Sequence, residues 1–183
     1  MQLLCFGDSI ARGYGVPFGM GWVERVSAAF PTVHVENHGI DGDTLQGMIY
    51  RLERLARSTS KSTYISIMGS TNDILMGRNS TYCFEKMKHL IQLIREKGGT
   101  PIVGKPPQID GDLDGINIVL LEYVNQLRHY CERQSITYID FYQAIEDTTK
   151  DGTIAFAGEV HPNRLGHEVM GQTAISTLKT ILE

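Results

Sequence analysis

Apolar residues recur along the chain with two alternating periods. Five short runs rich in β-branched and other apolar residues, at 2–6, 33–36, 63–68, 101–103 and 136–141, read as buried strands. Between them apolar positions return every three or four residues, the spacing of one helical face. Trp22, Val23, Val26 and Phe30 share one such face, and Leu45, Met48, Ile49, Leu52 and Leu55 a second. Phe84, Met87, Leu90, Ile91 and Ile94 form a third, stopped by Gly98 and Gly99. Ile118, Leu121, Val124, Leu127, Tyr130 and Cys131 form a fourth. Leu165, Val169, Ala174, Leu178 and Ile181 predict a last helix that begins at Pro162 and Asn163, since a proline loses nothing in the first turn of a helix.

Strand and helix alternating in this way predict an α/β fold, a parallel sheet with helices on both faces. Its crossovers should be right-handed. Ligands then bind at the carboxyl ends of the strands, near the topological switch point, so functional residues should fall just after strands. No internal repeat, low-complexity segment or linker interrupts the pattern, and residues 1–183 read as one domain. That length buries a sizeable core without disulfides or a structural metal.

Composition narrows the function. The hydrophobic share is 42% and the charged share 21%, ordinary for a soluble globular chain. The net charge of -4 offers no basic excess to neutralise phosphates, which argues against a nucleic-acid partner. Cys5, Cys83 and Cys131 are odd in number and widely spaced, so they read as small core residues and not as a zinc or redox site. No apolar run reaches the ~20 residues that a membrane helix needs, and the first residues lack the pattern of a secretion signal. A cytoplasmic chain without a membrane span is the expectation; removal of a signal peptide would leave the same picture.

Gly7-Asp8-Ser9-Ile10 follows the first strand directly, so Ser9 falls at a strand-to-helix turn. Such a serine can present its hydroxyl to solvent, or it can simply cap the helix. Asn37-His38-Gly39-Ile40-Asp41-Gly42-Asp43-Thr44 follows the second strand, and the Gly39 N–H could donate to an oxyanion while Asp43 or Thr44 caps the next helix. After the third strand, Gly69-Ser70-Thr71-Asn72-Asp73 offers the neutral amide donor of Asn72, with Asp73 free to hold backbone N–H groups of the loop. His161 lies in Gly158-Glu159-Val160-His161-Pro162-Asn163, before the last helix. Each motif alone is a capped turn or a structural histidine. Together they place a nucleophile, a base and oxyanion donors at one edge of one sheet, which is what acyl transfer needs.

Gly7-Asp8-Ser9, Gly39, Gly69-Ser70-Thr71-Asn72-Asp73 and His161-Pro162-Asn163 resemble the four signature blocks of the SGNH hydrolases, also called GDSL esterases. They stand in the order of that family and span most of the chain. The resemblance implies a three-layer flavodoxin-like fold with a five-stranded sheet in the order 2-1-3-4-5. It also implies Ser9 as nucleophile, His161 as base, and an oxyanion hole made of the Ser9 N–H, the Gly39 N–H and the Asn72 side chain. Its members include esterases, lipases, thioesterases and carbohydrate deacetylases.

In one place the chain departs from that pattern. The family's orienting aspartate would stand at Gly158, and the nearest acid is Glu159, two residues before the histidine. Glu159 could reach His161 through an altered loop, the Gly158 carbonyl could accept the Nδ1 proton, or a distant acid such as Asp151 could fold in. A one-residue slip usually breaks hydrogen-bond geometry, which favours the carbonyl. The departure touches the triad and not the claim for Ser9 and His161, because an orienting acid only fixes the tautomer and stabilises the imidazolium.

Other patterns carry less. Asp110, Asp112 and Asp114 with Gly115 copy half of a calcium loop, but Leu121 sits where the bidentate glutamate belongs. His34 and His38 lie on a strand and its loop, not on one helical face, so they form no metal pair. Gly13-Tyr14-Gly15-Val16-Pro17-Phe18-Gly19 lacks the lysine of a phosphate loop and reads as a pocket wall, with Tyr14 and Phe18 facing the substrate. The expectation is a serine esterase acting on a small-molecule ester, with no metal or cofactor. An acyltransferase using the same residues, or a binding module that keeps the scaffold, are the alternatives.

Overall fold

In the computed structural model, which describes residues 1–55, 63–111 and 114–183, the first strand shows how the layers arise. β1 (Gln2–Gly7) turns Leu3 and Cys5 into one hydrophobic core and Leu4 and Phe6 into another. A strand that alternates between two apolar faces must be covered on both. β2 (His34–Gly39) and β3 (Thr63–Ile67) flank it, and β4 (Thr100–Lys105) and β5 (Tyr138–Asp140) extend the sheet beyond β3. All neighbours are parallel and the order is 2-1-3-4-5, the flavodoxin-like α/β arrangement.

In chain order the helices are α1 (Ser9–Arg12), α2 (Trp22–Ala29), α3 (Leu45–Glu53), α4 (Thr71–Leu75), α5 (Ser80–Glu96), α6 (Ile116–Gln134), α7 (Phe141–Thr149) and α8 (Arg164–Leu182). Leu45, Met48, Ile49 and Leu52 of α3 close one core with Met87, Leu90 and Ile94 of α5 and Leu120, Val124 and Leu127 of α6. Trp22, Val23 and Val26 of α2 close the other with Ile145 of α7 and Met170, Ala174 and Leu178 of α8. β1 reverses direction of growth between β2 and β3, so the loops after β1 and β3 open the switch-point crevice.

Several elements differ from the reading of the apolar pattern. Phe141 opens α7 and does not close β5, because the Asp140 side chain accepts the Gln143 N–H at 3.0 Å and caps a helix there. Pro162 lies in a small antiparallel hairpin, β6 (Phe156–Ala157) with β7 (His161–Pro162), opposite Phe156. α8 starts at Arg164, two residues after Pro162, capped by Asn163, whose Oδ1 accepts from Leu165 and Gly166. On α6 the buried stripe is turned: Leu120 and Tyr123 are inside while Ile118 is 71% exposed. The two shortest helices, α1 and α4, are too brief to show a period at all.

The three cysteines are buried and free, and burial pushes the Cys83 thiol up to about 12 and the Cys131 thiol up to about 11. They pack as apolar residues. Among the described residues no helix is long and apolar enough to cross a membrane, and no group of histidine, cysteine and acid is arranged to hold a metal ion. Of the half calcium loop, Asp112 lies outside the described residues.

Candidate active site

β1 ends at Gly7, and Asp8 turns the chain into α1. Its carboxylate accepts the Ile10 N–H at 2.9 Å, capping a helix whose first residue is Ser9. Asp8 is 2% exposed and Ser9 7%. Burial pushes the Asp8 carboxyl up to about 7 against the Ile10 N–H, with the charges of Asp43 and Asp73 adding to the rise. The Ser9 carbonyl accepts from Gly13 at 3.1 Å and Tyr14 at 2.9 Å, so the turn after α1 closes back on the serine.

His161 arrives from the far end of the chain. Ala157 pairs with His161 across the β6–β7 hairpin, and Gly158, with φ +80, makes the left-handed turn that a side chain would resist. The hairpin is fixed from below by Asn163, whose amide donates to the carbonyls of Ile154 at 2.9 Å and Phe156 at 3.3 Å. As a result His161 Nε2 lies 2.9 Å from Ser9 Oγ, although the two are 152 residues apart. Burial holds the imidazole below its ordinary value, opposed by the negative charge of Asp41. A ring that stays neutral near neutral pH can accept a proton at Nε2.

The acid question also has a geometric answer in part. Glu159 is exposed on the outside of the hairpin turn, its carbonyl accepts the Asp110 N–H at 2.6 Å, and it shares a small recess with Leu75, Ile109 and Asp110. Asp151 is engaged with Thr153, accepting its N–H at 3.1 Å and its hydroxyl at 2.7 Å. Among the described residues no hydrogen bond joins His161 to Glu159, Asp151 or the Gly158 carbonyl. Gly158, Glu159 and Val160 form the turn between the paired Ala157 and His161.

The oxyanion donors expected from the sequence stand in different states. Asn72 gives one amide hydrogen to the Asp43 carbonyl at 2.9 Å, which orients the group and leaves its second hydrogen unspent. Gly39 lies opposite Gly7 in the β1–β2 register, and a Cβ there would come within 2.2 Å of the Arg12 N. Only glycine lets β2 approach α1 this closely. The Gly39 N–H is donated to Asn37 Oδ1 at 2.9 Å, so it can reach another oxygen only by sharing its hydrogen. No described bond takes up the Ser9 N–H.

Two supporting residues were not singled out from the sequence. Arg51 of α3 donates to the carbonyls of His38 at 2.8 Å and Gly7 at 3.3 Å and, from Nε and Nη2, to Asp43 Oδ2, tying the ends of β1 and β2 together. Asn37 bridges β2 to α1 and α2 through Ala11 O at 2.9 Å and Glu24 Oε1 at 2.7 Å. The only sequence signal for Arg51 is a cation three residues after Met48, at the edge of an apolar stripe. Asp73, placed by the sequence to hold its own loop, has its Oδ2 also accept the Leu45 N–H at 3.0 Å, joining the loop after β3 to the start of α3. Thr44 caps α3 through the Gly47 N–H at 3.1 Å.

Beside the serine and histidine a cleft of about 530 Å³ is lined by Tyr14, Val16, Phe18, Arg12, Asn37 and Gly39, among others. Tyr14 and Phe18 thus stand as walls, with Phe18 fully exposed.

A serine hydroxyl against an imidazole, at the carboxyl edge of a flavodoxin-like sheet, is equipment for acyl transfer. The comparisons with known proteins give the family. Residues 5–169 match the GDSL-like lipase/acylhydrolase family, and a lipolytic G-D-S-L protein from Veillonella parvula DSM 2008 is 41% identical, with 99% of this chain and 100% of that one covered and a TM-score of 0.92. The chain therefore belongs to the GDSL-like lipase/acylhydrolase family and is a carboxylic ester hydrolase. An acetylxylan esterase from Geobacillus stearothermophilus has the same fold at 22% identity, with 97% and 93% covered and a TM-score of 0.80. The hydrolase LAE5 from the metagenome of Lake Arreo, Spain, does so at 19%, with 97% and 94% covered and a TM-score of 0.80. No curated protein sequence matches the chain significantly.

Proposed function

We propose that the chain hydrolyses small-molecule carboxylic esters through an acyl-enzyme on Ser9, with His161 as general base. The observation that carries this reading is the 2.9 Å contact between Ser9 Oγ and His161 Nε2. The neutral ring with its proton on Nδ1 takes the hydroxyl proton at Nε2 as Ser9 attacks the carbonyl carbon. The tetrahedral oxyanion is held by the Ser9 N–H and the spare N–H of Asn72, with the Gly39 N–H joining by sharing its bond to Asn37. The imidazolium then gives its proton to the leaving alcohol, and water, activated in the same way, releases the acid. No residue of the site asks for a metal or cofactor. Serine and histidine act as a dyad in this reading.

The test is labelling by a fluorophosphonate, which reports an activated serine whatever the substrate. Wild type should label and hydrolyse p-nitrophenyl esters, and Ser9→Ala should do neither while keeping its fold. A folded Ser9→Ala that retained more than a few per cent of the activity would rule Ser9 out as nucleophile.

A further inference from the structure

The family's orienting acid is replaced by Gly158, yet the imidazole still points at the serine. Something else must hold it. The ring that touches it belongs to Tyr14: the two ring centroids are 4.3 Å apart, tilted by 41°. The Tyr14 backbone is itself tied down at both ends of its peptide units. Its N–H donates to the Ser9 carbonyl at 2.9 Å, and its carbonyl accepts from His167 Nε2 at 3.2 Å. His167 is fully buried on α8, so this tie is anchored in the core and not on the surface. Next to it, Gly15 seats its backbone against the hairpin: a Cβ there would lie 2.8 Å from the Pro162 carbonyl and 3.6 Å from His161 Cβ. One short segment is therefore clamped to the nucleophile, to the strand carrying the base, and to the helix that follows the base.

We propose that Tyr14 is the positioning residue for His161, its ring serving as the wall that keeps the imidazole turned toward Ser9 in place of an orienting acid. This rests on the reading of Ser9 and His161 as nucleophile and base. The physical argument is steric. An imidazole on a β-strand rotates about two bonds, and an aromatic wall at van der Waals distance removes the rotamers that would swing Nε2 off the serine. An acid does this with a hydrogen bond and also stabilises the imidazolium; a ring does the first and little of the second. The contact is ring to ring, so the phenol hydroxyl is not needed.

The same wall keeps water from one side of the imidazole. The charged and titratable groups that reach His161 are Asp41, after β2, which is paired with Arg12, and His167 on α8. Asp41 favours the protonated ring, and burial opposes it with the larger effect. Removing the Tyr14 ring weakens the burial and leaves Asp41 in place, so the imidazole should bind its proton more readily. Activity that needs the neutral ring should then appear only at higher pH.

The experiment measures p-nitrophenyl acetate hydrolysis against pH for wild type, Tyr14→Ala, Tyr14→Phe and His161→Ala. Tyr14→Ala should lower kcat about 10-fold, because small misplacements of a catalytic group are costly. KM should change less than about 3-fold, and the acid limb of kcat/KM should move up by about 0.5 in pH. Tyr14→Phe should restore kcat to within about 3-fold of wild type and return the acid limb to its place. Tyr14 is half exposed, so melting temperatures should stay close; if the alanine variant unfolds early, Tyr14→Ser carries the same expectation. Should Tyr14→Ala raise KM while leaving kcat and the acid limb alone, Tyr14 serves only as a wall of the cleft and does not position His161, and the proposal is overturned. Wild-type activity that survived His161→Ala would instead sink the underlying assignment of the base, a distinguishable failure.

Discussion

Arg51 donates to the Asp43 carboxylate from two nitrogens at once, Nε at 3.0 Å and Nη2 at 2.5 Å. The rest of the guanidinium is spent on the carbonyls of His38 and Gly7, and its plane lies over Phe6 at 5.0 Å. One side chain thus fastens the loop before Ser9 to the loop after Gly39, and it offsets part of the negative charge gathered by Asp8, Asp43 and Asp73.

Arg51→Met should therefore destabilise the fold by about 2–4 kcal/mol, since it strands a mostly buried carboxylate and two carbonyls. Arg51→Lys should recover little of this, because an ammonium cannot make the same fork. Urea unfolding of the three proteins measures the difference. A Lys variant as stable as wild type would mean that charge alone matters here and not the shape of the guanidinium.

Asn72→Ala should lower kcat by ~10²–10³, the usual consequence of losing one oxyanion donor, with KM changed only a few-fold. The full charge of the tetrahedral intermediate exceeds the partial charge of the substrate carbonyl, so the loss falls on the transition state. Slow fluorophosphonate labelling should persist, since Ser9 and His161 remain. A rise in KM at unchanged kcat would make Asn72 a substrate-binding residue. Because Asn72 also holds the Asp43 carbonyl, circular dichroism should accompany the kinetics.

Glu159→Gln should lower kcat by less than ~10-fold. A triad acid made neutral costs ~10⁴-fold in a serine protease. Glu159 is exposed and has no hydrogen bond to His161 among the described residues. A loss above a thousand-fold in a folded variant would show that the turn rearranges to bring the carboxylate under the ring.

Asp8 gives a prediction about pH. Burial raises its carboxyl from 3.8 to about 7. At pH below the unfolded value both states hold the proton and no stability is lost. Between the two values the unfolded chain releases its proton while the folded one keeps it, so stability falls as pH rises. Above about 7 the loss is complete. Asn caps a helix as well as Asp does, so Asp8→Asn should be more stable than wild type at pH 8 by on the order of a few kcal/mol. At pH 4 the two should nearly coincide. An equal difference at both pH values would mean that the carboxyl titrates normally.

The sequence by itself determined the sheet and the edge at which the chemistry gathers. Five apolar runs separated by helical periods leave few arrangements other than a parallel sheet covered on both sides, because each strand must bury two faces. The serine, glycine, asparagine and histidine motifs follow strands or precede a helix, and chain direction alone puts such turns at one edge. Tertiary structure decided the rest. Whether Asn37 or a substrate takes the Gly39 N–H, whether Glu159 meets His161, which face of α6 is inside, and what Arg51 and Tyr14 touch all depend on groups far apart in sequence. Periodicity records only which side of an element is apolar. A hydrogen bond such as that between Ser9 and His161 is fixed to a few tenths of an ångström by the packing of several elements at once, and the two-residue strands that aim the histidine are too short to leave any period in the chain.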